Sequence, residues 1–168
     1  MMISKKRPII CIAVFLLMFL TVISLPNKAS ASSKDFVIQG NNLVAYKGKS
    51  STVTIPKNVK TIVGLAFYRN PYVKKVIIPD SVKIIDEAAF LYCYDLHTVK
   101  LGKSVTKIEK DALYSIFELK SIEIPSSVKT IEEGVFDELL NRDFTIIGKK
   151  GSAAEKYAKT YGFKFKSK

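Results

Sequence analysis

The stretch VIIPDSVKIIDEAAFLYCYDLHT, residues 76–98, decides the fold of this chain because its pattern recurs every 23 residues. The preceding unit, residues 53–75, reads VTIPKNVKTIVGLAFYRNPYVKK. The two following units, residues 99–121 and 122–144, read VKLGKSVTKIEKDALYSIFELKS and IEIPSSVKTIEEGVFDELLNRDF. A fifth unit begins as TIIG at Thr145 and then changes character. A fixed period of this length is typical of a solenoid, in which each unit forms one coil.

Each unit starts with an apolar-x-apolar triplet, which has the period of a β-strand, followed by proline or glycine, where the chain turns. One unit cannot bury its apolar residues alone, whereas stacked units join them into a continuous core. The sequence therefore predicts a repeat solenoid with short parallel strands on one wall and turns or short helical segments on the other. The columns that stay apolar in all four units are Val53/Val76/Val99/Ile122, Ile55/Ile78/Leu101/Ile124, Val59/Val82/Val105/Val128 and Ile62/Ile85/Ile108/Ile131.

The two ends have the chemistry of caps, which a solenoid needs over its terminal apolar faces. Residues 35–46 read as two strands around Gly-Asn-Asn and predict an N-terminal β-hairpin. Residues 151–161 have helical spacing, with Ser152 placed to cap the helix and Gly162 to end it, and a last strand can follow. We divide the chain into an N-terminal cap (32–52), four repeats (53–144), and a partial repeat with a C-terminal cap (145–168).

The first 31 residues have the composition of a secretory signal peptide. Basic residues 5–7 precede the uncharged apolar run of residues 8–25. Ala29 and Ala31 supply the small-x-small pattern of a signal-peptidase site, so we expect cleavage after Ala31. A retained membrane anchor is the alternative, since about 18 apolar residues can span a bilayer. Cleavage lowers the net charge from +12 to +8, because residues 1–31 contain four basic and no acidic residues.

The repeat resembles the BspA-type leucine-rich repeat, whose pattern is close to L-x-x-I-x-I-P-x-x-V-x-x-I-x-x-x-A-F-x-x-C. The unit at residues 76–98 fits it most fully, and the resemblance covers roughly residues 36–165. It implies a curved bacterial solenoid used outside the cell for adhesion or protein binding. The departures from the pattern are interpreted as tolerated packing changes; they are Gly102 for Pro, Leu113 for Phe, and Asn70, Ile116 and Leu139 for Cys.

No constellation of residues predicts catalysis, a cofactor or a metal. Cys93 and His97 lie four residues apart, but Cys93 falls in an interior column and is the single cysteine left after export, so no internal disulfide is expected. Asp86, Glu109 and Glu132 share one repeat column, whereas a glycosidase needs two carboxylates on facing walls. We interpret them, with the lysine column Lys60/Lys83/Lys129 and the neighbouring Lys107, as charge rows that solvate the surface.

The outward side of the parallel strands is the candidate binding face. It is mixed and partly apolar, which suits a protein or glycan ligand better than a small molecule, and it has no aromatic ladder for nucleic-acid bases. Alternation assigns it Thr52, Lys75, Thr98 and Ser121 in one column, with Thr54, Ile77, Lys100 and Glu123 in the next.

We therefore expect a secreted, possibly loosely surface-associated, non-enzymatic interaction module that binds a protein or glycan. A basic protein held by charge on an anionic wall polymer is the alternative, although lysine is spread along the whole chain. A hydrolase is the remaining alternative. No membrane association is expected after cleavage, and no specific recognition of nucleic acid.

Overall fold

The structure, a computed structural model, describes residues 31–136 and 144–168. Within them a 3-10 turn (Ser33–Asp35) precedes twelve short strands, and one α-helix, α1 (Ala153–Tyr161), lies between the last two. The strands are β1 (Phe36–Gln39), β2 (Asn42–Tyr46), β3 (Thr52–Thr54), β4 (Thr61–Ile62), β5 (Lys75–Ile77), β6 (Ile84–Ile85), β7 (Thr98–Lys100), β8 (Lys107–Ile108), β9 (Ser121–Glu123), β10 (Thr130–Ile131), β11 (Thr145–Gly148) and β12 (Lys164–Ser167).

The first wall of the solenoid is built from the triplet at the start of each repeat. β3, β5 and β7 form a parallel sheet in which residues 23 apart are direct partners, such as Val53 with Val76 and Val76 with Val99. β9, β11 and β12 form a further parallel sheet. The middle residue of each repeat triplet is buried, and its two neighbours point outward. The predicted parallel wall is confirmed.

A second parallel wall forms from the Val-x-x-Ile segment, where turns or short helical segments were expected opposite the strands. β2, β4, β6, β8 and β10 lie side by side, with Ile62 paired to Ile85 and Ile85 to Ile108. β4, β6, β8 and β10 contain two residues each, which is too short for strand alternation to show in the sequence. Turns complete the coil, and α1 is the only α-helix in the described residues.

The third side of each coil is a series of tight turns around the Ala-Phe segment. Phe67 N donates to Ala89 O (2.9 Å) and Phe90 N to Ala112 O (2.9 Å), so adjacent coils are hydrogen-bonded on this side too. Two positions in each repeat have positive φ, which is unfavourable for residues with a Cβ. These positions are Leu65, Ala88, Asp111 and Gly134 in one column, with Arg69, Tyr92 and Ser115 in the other.

The core is a stack of side chains along the solenoid. The rings of Phe67 and Phe90 lie 4.7 Å apart, centroid to centroid, and Tyr46 from β2 stacks on Phe67 at 5.1 Å. Cys93 is fully buried, and its Sγ donates to Phe67 O (3.0 Å). The predicted apolar columns are buried, except that Leu101 and Ile131 are only partly so.

Both expected caps are present. β1 and β2 pair antiparallel as the predicted hairpin. At the other end, α1 buries Ala154, Tyr157 and Ala158, and it ends at Gly162 with φ of 74°. Ser152 occupies the N-cap position as predicted, but its side chain makes no capping hydrogen bond.

Some predictions fall on residues that the structure does not describe. The basic and apolar parts of the signal segment lie in residues 1–30, and Leu139 lies in residues 137–143. Ala31, the last residue of the expected signal, is half-buried against the core. None of the helices formed by the described residues is long and apolar enough to cross a membrane.

Candidate binding surfaces

The eight residues of the predicted binding face all lie on the outward side of the first wall. The parallel register sets Lys75 between Thr52 and Thr98, and Ile77 between Thr54 and Lys100. Neighbours in such a column are about 4.8 Å apart. Residues from successive repeats therefore line up in two columns. Thr54, Lys100, Ser121 and Glu123 are exposed, and Thr52, Lys75, Ile77 and Thr98 are half-buried.

The C-terminal strands extend this face in a way that sequence analysis missed. Thr145 on β11 pairs with Ser121 and with Lys164 on β12, which lengthens the first column. Ile147 and Lys166 lengthen the second column in the same way. β12 does not carry the repeat pattern, so only its pairing in the structure places it here. We call the two extended columns the strand face.

One end of the strand face is electrostatically closed. The carboxylate of Glu123 accepts a hydrogen bond from Lys168 Nζ at 2.5 Å. More than half of each side chain is exposed, so solvent screens this ion pair and it contributes little to stability. It does neutralise the single acidic residue among the eight predicted positions.

The carboxylate column predicted from the repeat forms a local network on the second wall. Lys107 Nζ lies 2.8 Å from Glu109 Oε1 and 2.7 Å from Glu132 Oε1. A hydrogen bond between the carboxyl groups of Asp86 and Glu109 lowers the pKa of Asp86 and raises that of Glu109. The hydrogen bond from Lys107 lowers the pKa of Glu132. These carboxylates share one wall and one lysine, an arrangement that balances surface charge and leaves no cleft between them.

Cys93 and His97 do not form a nucleophile–base pair. Burial raises the pKa of the Cys93 thiol to about 12, so roughly one molecule in 10⁵ carries a thiolate at pH 7. His97 is exposed, and its Nδ1 lies 2.9 Å from Thr98 Oγ1. Within residues 31–136 and 144–168, no group of three histidine, cysteine or carboxylate side chains could hold a metal ion.

A strip of exposed aromatic side chains crosses the turn side, and sequence analysis did not identify it. Successive ring centroids lie 6.0 Å apart from Tyr68 to Tyr92, 5.8 Å from Tyr92 to Tyr94, and 5.8 Å from Tyr94 to Phe117. The guanidinium of Arg69 lies over the first two rings at 5.2 and 5.3 Å. Tyr68, Tyr94 and Phe117 are 42–49% exposed. Aromatic residues at turn positions were the available signal, but they fall in different repeat columns.

Fold and surfaces together define a leucine-rich repeat solenoid with an open strand face. The sequence model of the BspA type leucine rich repeat region matches residues 38–153 in six copies. The chain therefore belongs to the BspA-type leucine-rich repeat family. The matched range begins in β1 and ends at the start of α1, so it extends beyond the four full units on both sides. Proteins of this type are cell-surface or secreted proteins, and the fold is typically non-enzymatic.

Solved bacterial structures share the fold. The leucine-rich repeat protein TpLRR of T. pallidum is 20% identical, with 71% of each chain covered and a TM-score of 0.59. A leucine rich cell surface protein of Faecalibacterium prausnitzii is 26% identical with a TM-score of 0.58; the match covers 63% of this chain and 28% of that one. A leucine-rich repeat protein of Bacteroides capillosus is 28% identical, with 60% and 94% covered and a TM-score of 0.52. No curated protein matches the chain.

Proposed function

We propose that this chain is exported and acts as a non-enzymatic interaction module that binds a protein or glycan through the strand face. The observation that carries the proposal is the register of the first wall. Parallel pairing places residues from every repeat in two outward columns, which present a long, mixed polar and apolar surface without a deep pocket. Extended surfaces of this kind are how repeat proteins contact large ligands.

The chemistry of the carboxylates and the thiol supports the non-enzymatic part of the proposal. Glu109 and Glu132 are both held by Lys107, and Cys93 is protonated and buried. Neither group can meet a substrate as an activated nucleophile or as one of two facing carboxylates.

Export is supported by the geometry at the expected cleavage point. Ser32 N donates to Asp35 Oδ2 at 2.7 Å, and the Ser32 side chain accepts from Lys34 N, which makes a capping box. Cleavage after Ala31 would turn Ser32 N into an ammonium group beside the Asp35 carboxylate. A charge-assisted hydrogen bond would then fix the new terminus. Mass spectrometry of the chain recovered from the medium should find Ser32 first, and a chain that retains residues 1–31 in the membrane would contradict export.

The binding proposal is tested by crosslinking in the native medium with two matched double variants. I77D/K100E changes the strand face, whereas Y94S/F117S changes the aromatic strip on the turn side. Both pairs are surface changes on residues outside the core. We expect I77D/K100E to lose the crosslinked partner and Y94S/F117S to retain it. The reverse result would overturn the strand-face assignment, and the absence of any partner for the unmodified chain would overturn the function itself.

A further inference from the structure

The positive charge of the chain is concentrated at its C-terminal end. Residues 32–143 contain 16 basic and 14 acidic residues, whereas residues 144–168 contain seven lysines and a single acidic residue, Glu155. Sequence analysis described the lysines as evenly spread because it did not weigh the acidic residues between them. The C-terminal cap has a net charge of +6. Its lysines are all exposed: Lys149, Lys150, Lys156, Lys159, Lys164, Lys166 and Lys168.

Three of these lysines form a row along β12. Lys164 and Lys166 are exposed, while Phe165 between them packs against the core, so the two lysines project from the same outward side. Residues two apart in a strand are separated by about 6.6 Å. Lys168 continues the alternation at the chain end. β12 is the last strand of its sheet, with β11 on one side only. We call these three residues the lysine row.

The chemistry of the lysine row fits an anionic polymer without a rigid shape. The cap contains lysine and no arginine. Lysine acts as a flexible point charge, whereas arginine recognises anions through a fixed two-pronged geometry. The aromatic rings near β12 offer no stacking platform for bases, since Tyr157 is buried and Phe163 and Phe165 are half-buried.

We propose that the lysine row binds a flexible phosphodiester polymer of the poly(glycerol phosphate) type. The proposal is independent of the strand face being a binding surface. Its competitor is a role in folding alone, because lysines on an edge strand also discourage pairing between molecules. The competitor predicts that the polymer does not distinguish these lysines from others on the surface.

The test measures the affinity of the full chain for a purified poly(glycerol phosphate) chain between 50 and 200 mM NaCl. The variant K164Q/K166Q/K168Q is compared with K60Q/K83Q/K129Q, which removes the same charge from exposed lysines on the second wall. K164R/K166R/K168R keeps the charge of the row. Far-UV circular dichroism confirms that each variant is folded, and K166Q alone replaces the triple variant if that one aggregates.

Removing three phosphate contacts should reduce the slope of log affinity against log salt by roughly 2. Between 50 and 200 mM NaCl, the unmodified chain should therefore lose roughly 20-fold more affinity than K164Q/K166Q/K168Q. The arginine variant should bind like the unmodified chain, and the control variant should change the slope by less than half as much. Equal effects of the two glutamine variants would overturn the proposal. So would unchanged binding by the row variant, or tighter binding of single-stranded DNA or heparin at equal charge.

Discussion

Replacing Gly102 with alanine should destabilise the solenoid through a clash between two neighbouring coils. Gly102 occupies the position that the three other full repeats fill with proline. A Cβ built there would lie 2.3 Å from Pro79 O and 2.5 Å from Pro79 C, both of them backbone atoms. Pro79 O also accepts a hydrogen bond from Val82 N (3.2 Å), so it cannot move without disturbing its turn.

The expected loss follows from two opposing contributions. Overpacking against a rigid neighbour costs about 1–3 kcal/mol. The change from glycine to alanine restores about 0.4–1 kcal/mol by restricting the unfolded chain. The net loss is about 1–2 kcal/mol, which corresponds to a fall in Tm of about 2–8 °C for a protein of this size. Thermal unfolding followed by far-UV circular dichroism measures it.

Gly148 supplies the matched control because it occupies the equivalent position in the partial repeat. A Cβ at Gly148 would meet the Ala154 side chain at 3.0 Å and no backbone atom closer than 3.4 Å. G148A should therefore change the free energy of unfolding by less than about 1 kcal/mol. A G102A protein that melts like the unmodified chain would refute the reasoning, as would equal losses for the two variants.

Three further predictions concern the turns, the charge network and the thiol. Ala88 has φ of 56°, so A88G should relieve left-handed strain and raise stability by up to about 1 kcal/mol in urea unfolding; a clear loss would contradict this. K107Q should lower Tm at pH 7, and its deficit should shrink as the pH falls below 4.5: the depressed pKa of Glu132 gives stability that is present above the ordinary pKa and lost on protonation, so a deficit that grows in acid would be inconsistent. Cys93 should resist a thiol reagent at pH 8 in the folded chain and react once the chain is unfolded in urea; fast labelling of the native protein would disprove its burial.

Much of the fold could be predicted because burial in a solenoid repeats with the sequence. Val76 and Ile78 alternate with an outward residue in every unit, and the columns they define become the core. The hairpin at β1–β2 and the helix α1 could also be read locally, from turn residues and helical spacing. The eight strand-face positions followed from the same alternation, because each lies beside a buried neighbour.

Other features depend on which residues meet across coils. The repeat brings Asp86 and Glu109 into one column, yet only the packed coils show that these carboxyl groups share a hydrogen bond while Lys107 holds two glutamates. The aromatic strip joins Tyr94 to rings at other positions in neighbouring repeats, so the 23-residue period does not reveal it.

The sequence by itself determined the period, the apolar columns, the caps and the side of each triplet that faces outward. Those properties depend on local alternation and turn chemistry, which each unit carries within its own 23 residues. Only the tertiary structure decided that the Val-x-x-Ile segments pair as a second sheet and that β12 joins the strand face. It also showed that Gly102 lies against the Pro79 backbone. These depend on the distance and register between successive coils, which are set when the side chains of neighbouring coils pack together.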